Sequence, residues 1–247
     1  MRANLRPPAR QHGQAAVEFI VIAPLLLFFC LGILQFALLY QAKATLDYAT
    51  LQAAREGAVN HGSLESMRIG LARGLAPLYA RAADADGSQA AFDKARADVR
   101  AHSVITLVSP TPAMLRDFGQ PVGYDGKTFT EIANDTLYYR NTRAGRESGV
   151  NIQDANLLKI RALYCYDMYV PLANKVFYYV ANVIGNIGSG GILTREPAEP
   201  GDPYGRPANP DSPCLVKLED GIETGRWPLA LESEALVRMQ SPFRGGK

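Results

Sequence analysis

The chain has 247 residues, 47% of them hydrophobic and 20% charged, an ordinary balance for a folded globular domain. Its formal net charge is +2, or −1 once the three arginines of the first 13 residues are left out. That near-neutral balance excludes an electrostatic footprint for nucleic acid. The opening residues, MRANLRPPARQHG, carry Arg2, Arg6 and Arg10 and no acid. Glu18 follows Gly13 by five residues, and from Phe19 to Tyr40 the chain is apolar but for Gln35. As a helix rising about 1.5 Å per residue, that run is long enough to cross the roughly 30 Å hydrocarbon core of a bilayer. The basic leader holds the N-terminus in the cytoplasm. Lys43 is the only basic residue close behind the span, with Asp47 near it, so the rest of the chain is expected on the far side. Cys30, inside the span, reads as a small packing residue.

Two other readings of this segment rest on general rules. A secretory signal would be cut at Ala42-Lys43-Ala44, but its apolar core should be about 7–15 residues and this one is longer. An uncleaved signal anchor would leave the whole leader in place. Glu18 stands at the head of the span, where a carboxylate costs less than the about 2.5–3.5 kcal/mol it would cost at mid-membrane. There it favours the positive end of the helix dipole.

The stretch GQAAVEFIVIAPLLLFF resembles the TadE-like minor pseudopilins of the tight-adherence (Tad, or Flp) pilus system. Gly13, Gln14, Glu18 at the fifth position after the glycine, and Pro24 carry the resemblance, which is specific over about residues 10–60. It implies a class III leader, residues 1–13, removed by a prepilin peptidase between Gly13 and Gln14. It also implies a single-pass inner-membrane protein with a periplasmic C-terminal part that associates with other pilin-like subunits and pilus assembly machinery. Glu18 would then pair with the new amine of Gln14 during assembly, the second role open to this residue. IRALYCYDMYVPL and the terminal LESEALVRMQSPF are similar to tails of the same family.

Beyond the span, Gln41 to Val59 (QAKATLDYATLQAAREGAV) is rich in helix formers and free of proline. Ala44, Tyr48, Leu51 and Ala54 suggest its apolar stripe, and Gly57 and Gly62 its stops. Span and extension form residues 14–60, one helix of about 45 residues and about 65 Å, with Pro24 expected to kink or loosen it. Residues 61–247 are then a globular head. It reads as a helix over Ser63–Ala83 interrupted near Pro77, a charged helix over Gln89–Ala101, and a buried strand over Val104–Val108. A hairpin turn is expected at Asp125-Gly126. The clearest strand is Lys159–Val170, with Ile160, Ala162, Tyr164, Tyr166, Met168 and Val170 on one face and Lys159, Arg161, Cys165 and Asp167 on the other. Pro171 ends it, Leu172–Ile184 looks helical, and Leu229–Met239 alternates again. Residues 185–213 form a Gly/Pro-rich loop. The fold class is therefore α+β: a long transmembrane and stalk helix followed by a mixed head with a small antiparallel sheet.

Cys165 and Cys214 are the only cysteines outside the span. A disulfide between them suits an oxidising compartment and would close a loop of about 50 residues, worth roughly 4 kcal/mol by chain entropy; two buried thiols are the alternative. Signals for catalysis are absent. His12, His61 and His102 are scattered, no His/Cys cluster has metal-ligand spacing, and the Ser-x-x-Lys, Gly-x-Ser-x-Gly and His-Glu-x-x-His patterns do not occur. Gly185-x-x-Gly188-x-Gly190-Gly191 lacks the spacing and lysine of a nucleotide loop. Asp84-Ala85-Asp86-Gly87-Ser88 reads as a solvated turn, and Tyr138-Tyr139 and Tyr178-Tyr179 as packing residues. No cofactor, no metal and no enzymatic activity are expected. The function expected is a minor pseudopilin that builds, primes or tips an adhesive Tad-type pilus. Alternatives are a type II secretion-like pseudopilin, or a periplasmic enzyme or sensor domain on a plain anchor.

Overall fold

A computed structural model describes residues 14–181, 214, 217–218 and 225–245. The first element, α1 (Gln14–Val59), is 46 residues long and carries Pro24 within it, about 69 Å at 1.5 Å per residue. Its first half is uncovered by protein. From Gln35 onward one face is buried, through Ala42, Leu46, Ala49, Thr50, Ala53, Ala54 and Ala58. This face is rotated from the expected stripe: Ala44 is exposed and Tyr48 is 55% exposed. The cause is α2 (Leu64–Leu75), which doubles back along α1 and approaches too closely for a large side chain. A Cβ added to Gly74 would lie 2.4 Å from the Cα of Ala49, and one added to Gly70 would lie 2.9 Å from the Cα of Ala53. Small residues on both helices let the backbones meet, so the buried face is the alanine face.

The turn between the helices uses left-handed backbone at His61 (φ 57°) and Gly62 (φ 76°). Gly62 N–H donates to the Gly57 carbonyl at 2.8 Å, closing the end of α1 in the manner of a Schellman cap. A side chain at Gly62 would also strike the ring of Phe243. The C-terminal segment completes the cap, because Gln240 and Ser241 N–H both donate to the Ala58 carbonyl at 3.0 Å. These bonds satisfy acceptors that a helix end leaves open.

After α2 comes a 3₁₀ turn over Ala76–Tyr79, where Pro77 stops the α-helix. Helix α3 (Ala85–His102) is longer than expected, because the supposed turn at residues 84–88 is its first turn: Asp84 is the N-cap and accepts from Gly87 N–H at 2.7 Å. Then follow β1 (Ser103–Ser109), α4 (Pro112–Phe118), and the hairpin β2 (Gly119–Tyr124) and β3 (Lys127–Ile132). Asp125 and Gly126 both have positive φ in its turn, as a two-residue hairpin requires. The chain continues through β4 (Leu157–Met168), α5 (Ala173–Tyr179), β5 (Trp227–Arg238) and β6 (Phe243–Arg244). Among the described residues there are two antiparallel three-stranded sheets, β1-β4-β5 and β2-β3-β6, where one small sheet was expected.

Strand β4 is the centre of the larger sheet. Leu158, Ile160, Ala162, Tyr164, Tyr166 and Met168 join the core formed with α1 and α2. Cys165 is buried too, so the alternation read from the sequence is lost towards the strand's C-terminal end. Strand β1 is an edge strand in which only Val108 is buried, a correction to its expected burial: among the described residues no strand lies on its other flank. Helix α5 starts at Ala173, and helical backbone continues through Val180 and Ala181; of the expected Leu172–Ile184, residues 182–184 lie outside the described ones.

Replacing Gly74 with alanine tests the close approach. Alanine favours an isolated helix by about 1 kcal/mol, yet here the two backbones must part, which costs about 1–3 kcal/mol. Urea unfolding of the detergent-solubilised chain should show a lower midpoint for Gly74→Ala; an unchanged or higher midpoint would refute the contact.

Candidate functional site

The long first helix is the part of the molecule that its own fold leaves incomplete. Among the described residues it is the one helix long and apolar enough to cross a membrane. Val17, Ile20, Val21, Ile22, Leu25, Leu26, Leu27, Phe29, Ile33 and Leu34 are all exposed, and Phe19 is 71% exposed. So many large apolar side chains in water would be untenable for a soluble helix. The stretch from Val17 to Leu34 is about 27 Å long at 1.5 Å per residue, close to the roughly 30 Å of a hydrocarbon core. Two polar residues bracket it. Glu18 is exposed on its first turn, and Gln35 is fully buried at the other end. Gln14 is the first described residue of the helix, and residues 1–13, with Gly13, lie outside the described ones. Cys30 is an exposed free cysteine among the uncovered apolar residues, rather than a packed one within this chain.

Gln35 marks the level at which the head takes hold of the helix. Its side-chain Oε1 accepts a hydrogen bond from Val170 N–H at 3.0 Å. Val170 lies just past the end of β4, where no strand partner supplies an acceptor. The Gln35 Nε2 is buried without a partner among the described residues. One made bond and one orphaned donor nearly cancel in stability, so the residue acts chiefly to fix the height of the head on the helix. In the sequence Gln35 stood out only as an interruption.

A second constellation ties down the same end of the head. Cys165 and Cys214 form a disulfide, as expected, and Cys214 and Lys217 both meet β4. Lys217, only 6% exposed, donates to the Cys165 carbonyl at 2.8 Å. It does so where β4 has run past β1, whose pairing begins at Ser103 with Tyr164. The lysine thus fills an open sheet edge. Its ammonium also meets Asp98 at 3.1 Å and Asp167 at 3.6 Å. Tyr79 and Tyr164 hydroxyls converge on Asp98 Oδ2 at 2.5 and 2.7 Å, and His102 Nδ1 lies 2.9 Å from Oδ1.

The electrostatics follow from this geometry. Burial pushes the Asp98 carboxyl up, but the Lys217 charge and the hydrogen bonds from Tyr79, Tyr164 and His102 outweigh it and leave it below the ordinary value. Burial raises Asp167, with Lys217 opposing. Burial and the neighbouring Asp98 charge push the Tyr79 hydroxyl far up, and burial with the neighbouring Tyr79 and Asp98 does the same to Tyr164, so both remain neutral donors. No sequence signal pointed to this cluster, since Lys217 and Asp98 stand 119 residues apart and each resembles a solvated charge. It is a structural clamp with every polar group engaged inside the fold.

The other sequence-marked residues do not gather into a site. His61 and His102 serve a turn and the clamp. Tyr138 and Tyr139 stack on each other, but Tyr138 is 88% exposed, so this pair is not packed in the core. Residues 185–213, with their glycine cluster, lie outside the described residues. Among the described residues no group of three or more His, Cys, Asp or Glu could hold a metal ion.

Comparison with known families bears on α1 itself. A family model described as TadE-like protein matches residues 13–55. The match starts on Gly13 and runs through the uncovered half of α1 into the half buried by the head. It is consistent with a TadE-like protein of the Tad pilus system, a family of structural proteins associated with pilin-like subunits and membrane machinery. The similarity noted for the C-terminal strands lies outside the matched residues. No curated protein and no solved structure matches the chain.

The clamp has a pH signature. Because the Asp98 pKa is lower in the fold than its ordinary 3.8, its contribution is full above that value and fades as pH falls through the lowered one. Asp98→Asn leaves Lys217 buried with weaker compensation and should cost about 3–5 kcal/mol at neutral pH. Urea midpoints of parent and variant should converge as the pH is lowered below the ordinary carboxylate range. A gap that stays constant with pH would contradict the assignment.

Proposed function

We propose that this chain is a membrane-anchored minor pseudopilin of a Tad-type pilus, acting by assembly rather than by catalysis. Prepilin peptidase cuts between Gly13 and Gln14 on the cytoplasmic side of the inner membrane, and α1 remains in the bilayer with the head in the periplasm. Through its apolar half the helix joins other pilin-like subunits and takes part in building, priming or tipping the filament, and hence in adhesion.

The observation that carries this reading is the placement of the uncovered helix. It lies close behind the Gly13–Gln14 pair in the sequence, offers Glu18 at its exposed N-terminal end, and is left bare by the head for about one membrane thickness. A helix surface without protein cover can be shared with lipid before assembly and with neighbouring helices after it. Glu18 supports the reading further. Once Gln14 carries a free amine, a carboxylate one helical turn away can pair with the amine of an adjacent subunit, and in a low-dielectric setting such a pair strongly favours one register.

Intact-mass measurement tests this directly. The chain is expressed in membranes with and without a cognate prepilin peptidase. Residues 1–13 should be lost only when the peptidase is present, and Glu18→Ala should still be cut but fail to co-purify with pilin-like subunits. Cleavage after Ala44 would instead make the chain a secreted protein, and an uncut chain would leave a plain anchor.

A further inference from the structure

The segment just after β4 exposes an apolar surface that the fold does not use. Helix α5 turns its small and polar residues, Ala173 and Asn174, inward. Its outward side carries Val176 and Tyr179, continued by Leu172 before the helix and Val180 after it, and Leu172 is 64% exposed. Tyr169, two residues before Pro171, is exposed on the same segment. Such a helix is amphipathic in the reverse of the usual sense, which marks a surface that meets something other than water.

Its position says what that is. Val170, inside this segment, donates its N–H to Gln35 at 3.0 Å, and Gln35 closes the uncovered stretch of α1. Tyr169 and Leu172 are one and two residues from that bond, so the chain geometry keeps them within about 7 Å of the Gln35 level. Helix α5 packs against α1 and β5. The apolar surface is thus continuous with the end of the bare helix. Its composition suits a membrane–water boundary, where aromatic rings and basic side chains concentrate. Tyr178 and Tyr179 lie against Trp227 with ring centres 4.9 and 5.9 Å away. Lys175 sits 5.8 Å above the Trp227 ring, and Arg226 5.5 Å from the Tyr169 ring. From Tyr169 to Ala181 the sequence holds no acid.

We infer that the β4–α5 segment and Trp227 form a second membrane contact, in which the head rests on the lipid headgroup region beside α1. This rests on the reading of α1 as a membrane span. With Tyr169, Leu172, Val176, Tyr179 and Val180 in the interface and Lys175 and Arg226 beside the headgroups, the head is held against tilting about a single helix. The contact favours an anionic surface, since Lys175 and Arg226 stand in it and the run from Tyr169 to Ala181 holds no acid.

Trp227 is the chain's single tryptophan, so its fluorescence reports on this place alone. The full chain is reconstituted in vesicles containing anionic lipid brominated either near the headgroup end or near the methyl end of the acyl chains. Retention during flotation after alkaline carbonate washing reports separately on the span. The inference predicts retention, and quenching of Trp227 that is stronger for shallow than for deep bromines. Val176→Glu/Tyr179→Glu should weaken the quenching while retention and the Cys165–Cys214 bridge on non-reducing gels are unchanged. Retention without quenching would overturn this contact and leave the anchor standing, and so would a fluorescence change brought about only by a second copy of the chain. Loss from the vesicles would overturn the anchor and this inference with it.

Discussion

One helix has to satisfy two solvents, and the rest of the molecule is arranged around that requirement. Towards its N-terminal end α1 must be apolar on every side, because a bilayer core offers no partner for a polar group. Beyond Gln35 the head covers one face of the same helix, while Phe36, Leu38 and Tyr40 still stand exposed away from it. The change happens within two turns, between the exposed Ile33 and Leu34 and the buried Ala42. Gln35 stands at the change, and its bond to Val170 N–H sets where the head begins.

The head cannot be described as a separate body on a stalk, since the stalk is inside its core. Alanines at 42, 49, 53, 54 and 58 allow α2 and the main sheet to come close, and Gly70 and Gly74 answer them from α2. The C-terminal residues return to cap the same helix at Ala58. At the opposite end, Lys217 and the Cys165–Cys214 bridge close the open edge of β4 beside Asp98. Both ends of the head are therefore fastened, one to the last turn of α1 and the other near the level where the bare helix starts. A rotation or slide of α1 would be passed to β4 through their packed side chains.

The sequence made the helix legible because its signal is long and continuous: leader, glycine, acid and apolar run can be read without knowing any tertiary contact. The main strands could also be read, through the period-two alternation over residues 159–170 and the Asp125-Gly126 turn, although the strand itself runs two residues earlier, over Leu157–Met168. What could not be read depends on partners distant in the chain. The buried face of α1 was misplaced because Tyr48 offers a larger side chain to bury than Ala49, and only the closeness of α2 decides in favour of alanine. Strand β1 has the composition of a buried strand but lies at a sheet edge. Asp84 looked like a turn residue because an N-cap and a turn use the same chemistry. The ring of groups around Asp98 draws on residues from four separate segments, each unremarkable in its own neighbourhood. Gln35 was visible as an anomaly, yet its meaning lies in an N–H 135 residues away.

The central claim is that the C-terminal half of α1 and the head are one cooperative body. Native-state hydrogen exchange of the full chain in a lipid bilayer, followed as urea is added, tests it most directly. The amides of residues 42–58 should exchange in the same opening as those of β4, with the same free energy and the same urea dependence. Exchange of residues 42–58 through a smaller opening, while β4 stays protected, would contradict the claim and make the helix a detachable stalk.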